Sequence, residues 1–386
     1  MTGTRLNPLD AVWLMMETDD TPMHVGVLAI FTPPRNAAGD YVAGIARKLR
    51  AATDVVAPWN SQLVRGVTAG LGGYALEETD CDLEYHFRHS ALPAPGGERE
   101  LGVMVSRLHS HALDRSRPLW EFHLIEGLER NRFAFYLKLH HALVDNINAV
   151  PLLLQGLSAG ARSKSTAAPW TRPLRAAESR PEAWWEDLAD PWQAATSLGR
   201  AAGGMLRGAL RPRAASSVLM PRGTPRSTLN RQINSQRRFA TWQLSQARIE
   251  AVAAATDSTV NEILTYLCGS SLRRFFKEYN ALPDDSLVAV IPVTLQERSE
   301  RLPGNAIAGL RVSLGTHIGN PMARLQAVKE SIHAVREDRA SLPSEAVTSY
   351  VLTRAAPLYA SQLRGVGRFV PPLFNLAVSN TPGSAK

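Results

Sequence analysis

Cysteine is nearly absent. The two present, Cys81 and Cys268, stand far apart in 386 residues and outside any Cys-x-x-Cys spacing. That excludes a disulfide framework and a zinc knuckle, fits a reducing compartment and makes both thiols expected core fillers. Charge is sparse too, 20% of residues against 45% hydrophobic, so the chain has ample material for a core and is not a disordered polymer. Even so, no run of about 18 uncharged apolar residues occurs, and no membrane-spanning helix is expected. The opening MTGTRLNPLDAVWLMMETDD lacks a basic start, a long apolar stretch and a small-residue cleavage site. No secretory signal is therefore read, and a cytoplasmic location is expected. A Gly-x-Ser-x-Gly elbow, a G-x-x-x-x-G-K-[ST] phosphate loop and helix-turn-helix or finger spacing are also missing. Their absence disfavours elbow-type hydrolases, P-loop enzymes and nucleic-acid readers.

What is present is a length suited to two domains and an excess of positive charge, 43 Lys+Arg against 35 Asp+Glu. The excess is local. From Gly156 to Ala240 there are 14 basic residues and 5 acidic ones, leaving the remainder near neutral. This stretch is also rich in Pro, Ala, Ser and Gly, a composition that builds no core of its own and reads as a connector. The expected organisation is a first domain over 1–155, a basic connector over 156–238 and a second domain over 239–386. The connector's arginines, with Trp170, Trp184, Trp185 and Trp192, suggest a surface that sits at a lipid headgroup layer; a solvated linker is the rival reading.

In the first domain, apolar residues at Leu101, Val105, Leu108 and Ala112 predict a helix over Glu98–Leu113. PLWEFHLIEGL and FAFYLKLHH, separated by polar Glu129–Arg132, predict a hairpin. In the second, Val260, Leu264, Leu267, Leu272 and Phe275 predict a helix. Ser286–Val293 and Ala306–Leu314 predict strands, Leu325, Val328, Ile332 and Val335 a further helix, and LFNLAVS a last strand. No repeat of fixed period occurs.

The segment FAFYLKLHHALVDN carries the most chemistry. Strand alternation puts Phe133, Phe135, Leu137, Leu139 and His141 on one face and Ala134, Tyr136, Lys138 and His140 on the other, so His141 ends an apolar row. Imidazole there stays neutral near pH 7 and can accept a proton. Asp145, four positions on, can brace the turn or the ring. Equally open on spacing alone are a satisfied core histidine, a surface histidine and an aspartate capping a helix ahead of Ile147. A metal site is disfavoured, because adjacent strand residues point to opposite faces.

HHALVDN (His140–Asn146) resembles the HHxxxDG signature of chloramphenicol-acetyltransferase-like acyltransferases. Its context is similar to the bacterial wax ester synthase/diacylglycerol acyltransferase branch: LNPLDAVWLMMETDDTPMHVGVLAIF (Leu6–Phe31), PLW (Pro118–Trp120), NE (Asn261–Glu262) and NLAVSNTPG (Asn375–Gly383) match its ordered motifs. The resemblance covers nearly the whole chain. It implies an α/β fold of two chloramphenicol-acetyltransferase-like domains, each a mixed sheet flanked by helices, with a substrate tunnel between them. It further implies transfer of an acyl group from acyl-CoA to diacylglycerol or a long-chain alcohol, with no metal and no bound cofactor, acyl-CoA being a co-substrate. By the same analogy His141 is the general base and His140 and Asp145 position it. Trp120, Asn146, Asn261, Glu262, Ser379 and Asn380 are candidates for the substrate path. The expected partners are the two substrates and, peripherally, an anionic inner-membrane or lipid-body surface.

Several positions depart from the pattern. Asn146 stands for glycine, a change that asparagine's tolerance of positive φ makes mild. Glu262 stands for aspartate and completes a capping box with Thr259, so it can equally serve only the helix start. Gln296 stands where arginine is usual, and Arg298 is the expected substitute. The chain ends at NTPGSAK where the family pattern leads to further strands and helix, so the second domain is expected to be truncated. Trp120 on a buried strand reads as packing as readily as path lining. The alternatives retained are an acyl-transferring or condensing relative with another nucleophile, and a lipid-surface protein of the same fold with weak turnover.

Overall fold

The computed structural model describes residues 4–6, 13–14, 17–65, 74–143, 168–173, 224–294, 307–340 and 372–380. The chain divides into two compact units, Met1–Trp185 with Ile233–Trp242, and Glu186–Gln232 with Gln243–Lys386.

The first unit is built on β2 (His24–Phe31), β5 (Phe87–Ala91), β6 (Trp120–Leu128) and β7 (Arg132–His140), ordered β2-β7-β6-β5. β2 and β6 run antiparallel to β7, and β5 parallel to β6. The expected hairpin is β6–β7. Its turn spans Glu129–Asn131, with Arg130 and Asn131 at positive φ. Helix α1 (Tyr41–Arg50) packs Ile45, Ala46 and Leu49 into the cluster on one face, against Phe122, Leu124, Phe133, Phe135, Leu137 and Leu139. After the short α2 (Leu83–His86), helix α3 (Glu98–Ser110) packs Leu101 and Val105 against Ile125, Ala134 and Tyr136. The sheet is thus mixed and flanked by helices, with both central strands dry. A second, antiparallel sheet, β1 (Thr4–Arg5), β4 (Tyr74–Glu78) and β3 (Ser61–Arg65), belongs to the same unit.

Trp170 corrects an expectation. It is wholly buried, stacked on Trp120 with centroids 5.5 Å apart, and its Nε1–H donates to the Ala52 carbonyl at 2.8 Å. It faces the core and no lipid layer, because its large ring fills space that the surrounding Pro/Ala composition does not announce. Trp184, Trp185 and Trp192 lie outside the described residues. The thiols are half-buried, and burial pushes that of Cys81 up to about 11.

The segment Ile233–Trp242, expected as connector end and second-domain start, runs along α3 of the first unit. The backbone N–H groups of Arg237 and Phe239 donate to the hydroxyls of Ser110 and Ser106 at 2.9 and 2.8 Å. Those hydroxyls in turn donate to the carbonyls of Ser106 and Gly102. Thr241 bonds Glu98 one turn further. Gly102 is required: a Cβ there would lie 2.9 Å from the Phe239 carbonyl oxygen.

The second unit holds β8 (Val288–Thr294), β9 (Ile307–Ser313) and β10 (Leu376–Ala377), with β8 antiparallel to β9 and parallel to β10. Among the described residues three helices accompany them: α4 (Gln246–Ala255), α5 (Val260–Glu278) and α6 (Pro321–Ala340). The α6 stripe Leu325, Val328 and Ile332 is buried as expected. The α5 stripe holds only in its middle. Leu267 and Leu272 pack against the core as expected, Val260 and Phe275 are exposed, and the buried face is Ile263, Gly269 and Phe276. Gly269 sets that face, since a Cβ there would meet the Leu314 carbonyl oxygen at 2.6 Å, so the helix can approach the backbone only on this side. Among the described residues no helix is long and apolar enough to cross a membrane.

Candidate active site

Strand β7 delivers the site. It is central in its sheet, and every residue from Phe133 to His140 is buried. The expected alternation holds to the strand's end, where His140 faces the α3 side with Lys138 and Tyr136. His141 is the first residue beyond the strand. It opens a turn in which Leu143 N–H donates to the His140 carbonyl at 3.0 Å, so the apolar row stops at Leu139. The His141 ring is half-buried and shielded for another reason: it stacks on Trp13, centroids 4.6 Å apart and planes inclined by 22°. Its backbone N–H donates to the Met23 carbonyl at 3.0 Å, and its buried Nδ1 has no hydrogen-bond partner among the described residues.

His140 is wholly buried. Its Nδ1 accepts the Ala142 N–H at 3.0 Å, so the neutral ring carries its proton on Nε2. That nitrogen lies 3.5 Å from Glu17 Oε1. Glu17 Oε1 also accepts the Met23 N–H at 2.9 Å, while Oε2 takes the Arg115 guanidinium, Nε at 2.8 and Nη2 at 2.7 Å. The same Nη2 donates to the Leu14 carbonyl at 2.7 Å. Opposite His140 on β2 stands His24, whose Nε2–H donates to the His109 carbonyl at 3.0 Å; His109 Nδ1 and the Tyr136 hydroxyl are 2.8 Å apart.

Behind this group, Lys138 is wholly buried and places Nζ 3.1 Å from the Leu108 carbonyl, 3.0 Å from that of His111 and 3.1 Å from Glu121 Oε2. Three acceptors around one nitrogen match the three donors of an ammonium, so the cation ties the end of α3 to the sheet. Glu121 is further paired with His123 Nε2 at 3.2 Å.

Burial governs the charges. It drives the His141 pKa down to about 4, with His140 and His109 adding to the shift, and that of His24 to about 3, helped by His109 and Lys138. Both rings are therefore neutral at pH 7. Burial opposes ionisation of Glu17 and Glu121 as well. Bonds to His140, Met23 and Arg115 outweigh it for the first, and His123 and Lys138 for the second, holding both carboxyls at about 2. All four groups bind fewer protons folded than unfolded across the acid range, so acid destabilises this fold. The stability tied to His24 and His141 is complete above about pH 6.5 and is lost as pH falls toward 4 and 3; that tied to the two carboxylates is lost between about 4.5 and 2. Thermal melting from pH 8 to 4 is expected to show the midpoint dropping from about pH 6.5 downward. A flat profile to pH 4 would contradict these environments.

Of the other expected site residues, Trp120 is wholly within the core, its indole donating to the Trp59 carbonyl at 2.7 Å and stacked on His86. It sits there as packing. Asp145, Asn146, Gln296 and Arg298 lie outside the described residues. In the second unit Thr259 and Glu262 form the capping box that opens α5, Glu262 Oε2 accepting the Thr259 N–H at 2.7 Å and Oε1 lying 3.1 Å from His333 Nε2. Asn261 and Asn380 are hydrogen-bonded to each other, and Ser379 is exposed beside them. Asn375 is buried and does more: its Oδ1 accepts the Val288 N–H while its Nδ2 donates to Pro225 O and Asn230 Oδ1, each within 2.8 Å. Among the described residues no set of three or more His, Cys, Asp or Glu side chains is arranged to hold a metal ion.

Residues 6–264 match the model of the wax ester synthase/diacylglycerol acyltransferase catalytic domain, and residues 303–386 that of the WS/DGAT C-terminal domain. The chain belongs to this family. A putative diacylglycerol O-acyltransferase of Mycobacterium bovis is 35% identical over 379 residues, 97% of this chain and 83% of the relative. Another of Mycobacterium tuberculosis is 34% identical over 425 residues, covering 99% and 84%. Among solved structures, the wax ester synthase/diacylglycerol acyltransferase from Marinobacter aquaeolei VT8 superposes with a TM-score of 0.78 at 32% identity, over 98% of this chain and 82% of that one. The mixed α/β architecture is that of the family. In this wax ester synthase/diacylglycerol acyltransferase chain, sequence reasoning missed Trp13, Glu17, His24 and Arg115. The first three lie inside the Leu6–Phe31 motif, and the available signal was a carboxylate, Glu17, directly after the apolar run WLMM.

Proposed function

We propose that this chain transfers a fatty acyl group from acyl-CoA to the hydroxyl of diacylglycerol or a long-chain alcohol, with His141 as general base. The observation that supports this best is a neutral, half-buried imidazole whose Nδ1 has no hydrogen-bond partner among the described residues, in a chain whose relatives are named diacylglycerol O-acyltransferases. The acceptor oxygen attacks the thioester carbonyl while His141 takes its proton. As the tetrahedral intermediate collapses, the C–S bond breaks and the imidazolium returns that proton to the departing CoA sulfur. A base whose conjugate acid is this strong releases the proton readily at the second step. His140 and Asp145 orient the base in this reading. The test is CoA release from palmitoyl-CoA with hexadecanol or dioleoylglycerol as acceptor. Acceptor-dependent release together with ester product supports the reading, and acyl-CoA binding without turnover overturns it.

The peripheral partner in this proposal is an anionic lipid surface, supported by the connector's charge. Binding to phosphatidylglycerol vesicles is expected to weaken with salt and to be lost when Arg200, Arg207, Arg211 and Arg213 are all changed to Gln. Equal cosedimentation of that variant refutes the contact.

A further inference from the structure

The histidine pair is held from one short stretch of chain ahead of β2. Trp13 covers a face of the His141 ring. Met23 offers its carbonyl to the His141 backbone N–H, and its own N–H is fixed by Glu17 Oε1 at 2.9 Å. The same carboxylate oxygen is 3.5 Å from the Nε2 of His140, the nitrogen that must carry the proton because Nδ1 is occupied by the Ala142 N–H. Arg115, from beyond α3, clamps the other carboxylate oxygen together with the carbonyl of Leu14, next to Trp13.

We infer that Glu17 is the positioning residue of the histidine pair: one carboxylate sets its charge 3.5 Å from the Nε2 of His140, whose tautomer the Ala142 N–H fixes, and through the Met23 peptide it holds the backbone of His141. The inference rests on the proposed use of His141 as base. Glu17 carries an aligning charge that only a narrow set of side chains supplies. Glutamine keeps an oxygen for the Met23 N–H but turns the Nε2–H of His140 toward an uncharged group and leaves Arg115 without its anion. Aspartate keeps the charge and falls short by one methylene. Alternative explanations for burying a carboxylate here, such as a plain structural ion pair with Arg115, predict a loss of stability with turnover intact. Positioning predicts a loss of turnover in addition to that loss of stability.

The experiment compares Glu17→Gln, Glu17→Asp and Arg115→Gln in the full chain, by CoA release, KM for palmitoyl-CoA and melting temperature. Glu17→Gln is expected to lower kcat about 10–100-fold with KM changed less than about threefold, below the range for a group that itself transfers the proton, because Glu17 acts through the histidines. Glu17→Asp is expected to recover at least severalfold of that loss at a similar melting temperature. Arg115→Gln, which leaves the carboxylate in place, should cost more in melting temperature than in kcat. A folded Glu17→Gln with kcat within twofold of the parent, or an aspartate variant no better than glutamine, overturns the inference. Should the glutamine variant not fold, Glu17→Asp decides instead: a severalfold loss of kcat with KM and melting temperature near those of the parent supports the inference, and kcat equal to that of the parent overturns it. A His141→Ala variant with full activity would remove the base reading itself, whereas loss in His141→Ala beside full activity in Glu17→Gln removes only the role of Glu17.

Discussion

Acyl transfer by a His141→Ala variant is expected to fall about 10²–10⁴-fold while acyl-CoA binding and the melting temperature stay near those of the parent. The separation follows from where the ring sits. It is one residue past the strand, so the hydrogen bonds of β7 do not depend on it, and its buried nitrogen bonds no other described residue. Removing it takes away the proton acceptor and a stacking partner of Trp13, and leaves the backbone bond to Met23 in place. The pH profile gives a second reading of the same ring. The base is active when neutral, and burial holds its pKa near 4, so kcat/KM should show no acid limb at 6.5, the ordinary imidazole value, and should decline only toward the lower figure. Retained turnover in the alanine variant, measured as CoA release with ester formed, would end the assignment.

The largest expected effect on stability belongs to Lys138→Met. Methionine fills similar volume, so the change isolates the loss of the ammonium. Two carbonyls at the end of α3 lose their donor, and Glu121, almost wholly buried, keeps His123 close by and Arg88 3.9 Å away among the described residues. Breaking one side of such a buried pair costs about 3–5 kcal/mol. In a protein of this size that is on the order of 10 °C in melting temperature. The double variant Lys138→Met/Glu121→Gln should be more stable than the single one, because it no longer strands a charge, and the cycle measures the coupling. A single variant within about 1 kcal/mol of the parent would mean that water reaches Glu121 and replaces the cation.

The elements that sequence reading placed well are those whose signal is local. The β6–β7 hairpin, α3, the Thr259–Glu262 capping box and the Leu325–Val328–Ile332 stripe of α6 each follow from residues at most a few positions apart. The failures have a common cause in partners that are distant along the chain. Glu17 is bonded to an arginine 98 positions away, and no spacing in Leu6–Phe31 announces it. The buried side of α5 is chosen by a glycine meeting the Leu314 carbonyl, whereas counting large apolar residues selects Val260 and Phe275, which are exposed. Trp170 sits among residues of linker composition, yet its indole N–H finds Ala52 and its ring finds Trp120. The candidate site divides the same way. The histidine pair was legible from its strand, and the Trp13–Met23 stretch that grips it was not.

The ten residues Ile233–Trp242 bear on how this protein is made. Ser106 and Ser110 emerge from the ribosome more than 120 positions before Arg237 and Phe239, the residues whose amides their hydroxyls later receive. The outer side of α3 therefore stays unfinished through the synthesis of everything in between, and an amino-terminal fragment released before residue 233 carries that helix bare. Adding Ile233–Trp242 back as a separate peptide would be the natural way to rescue such a fragment.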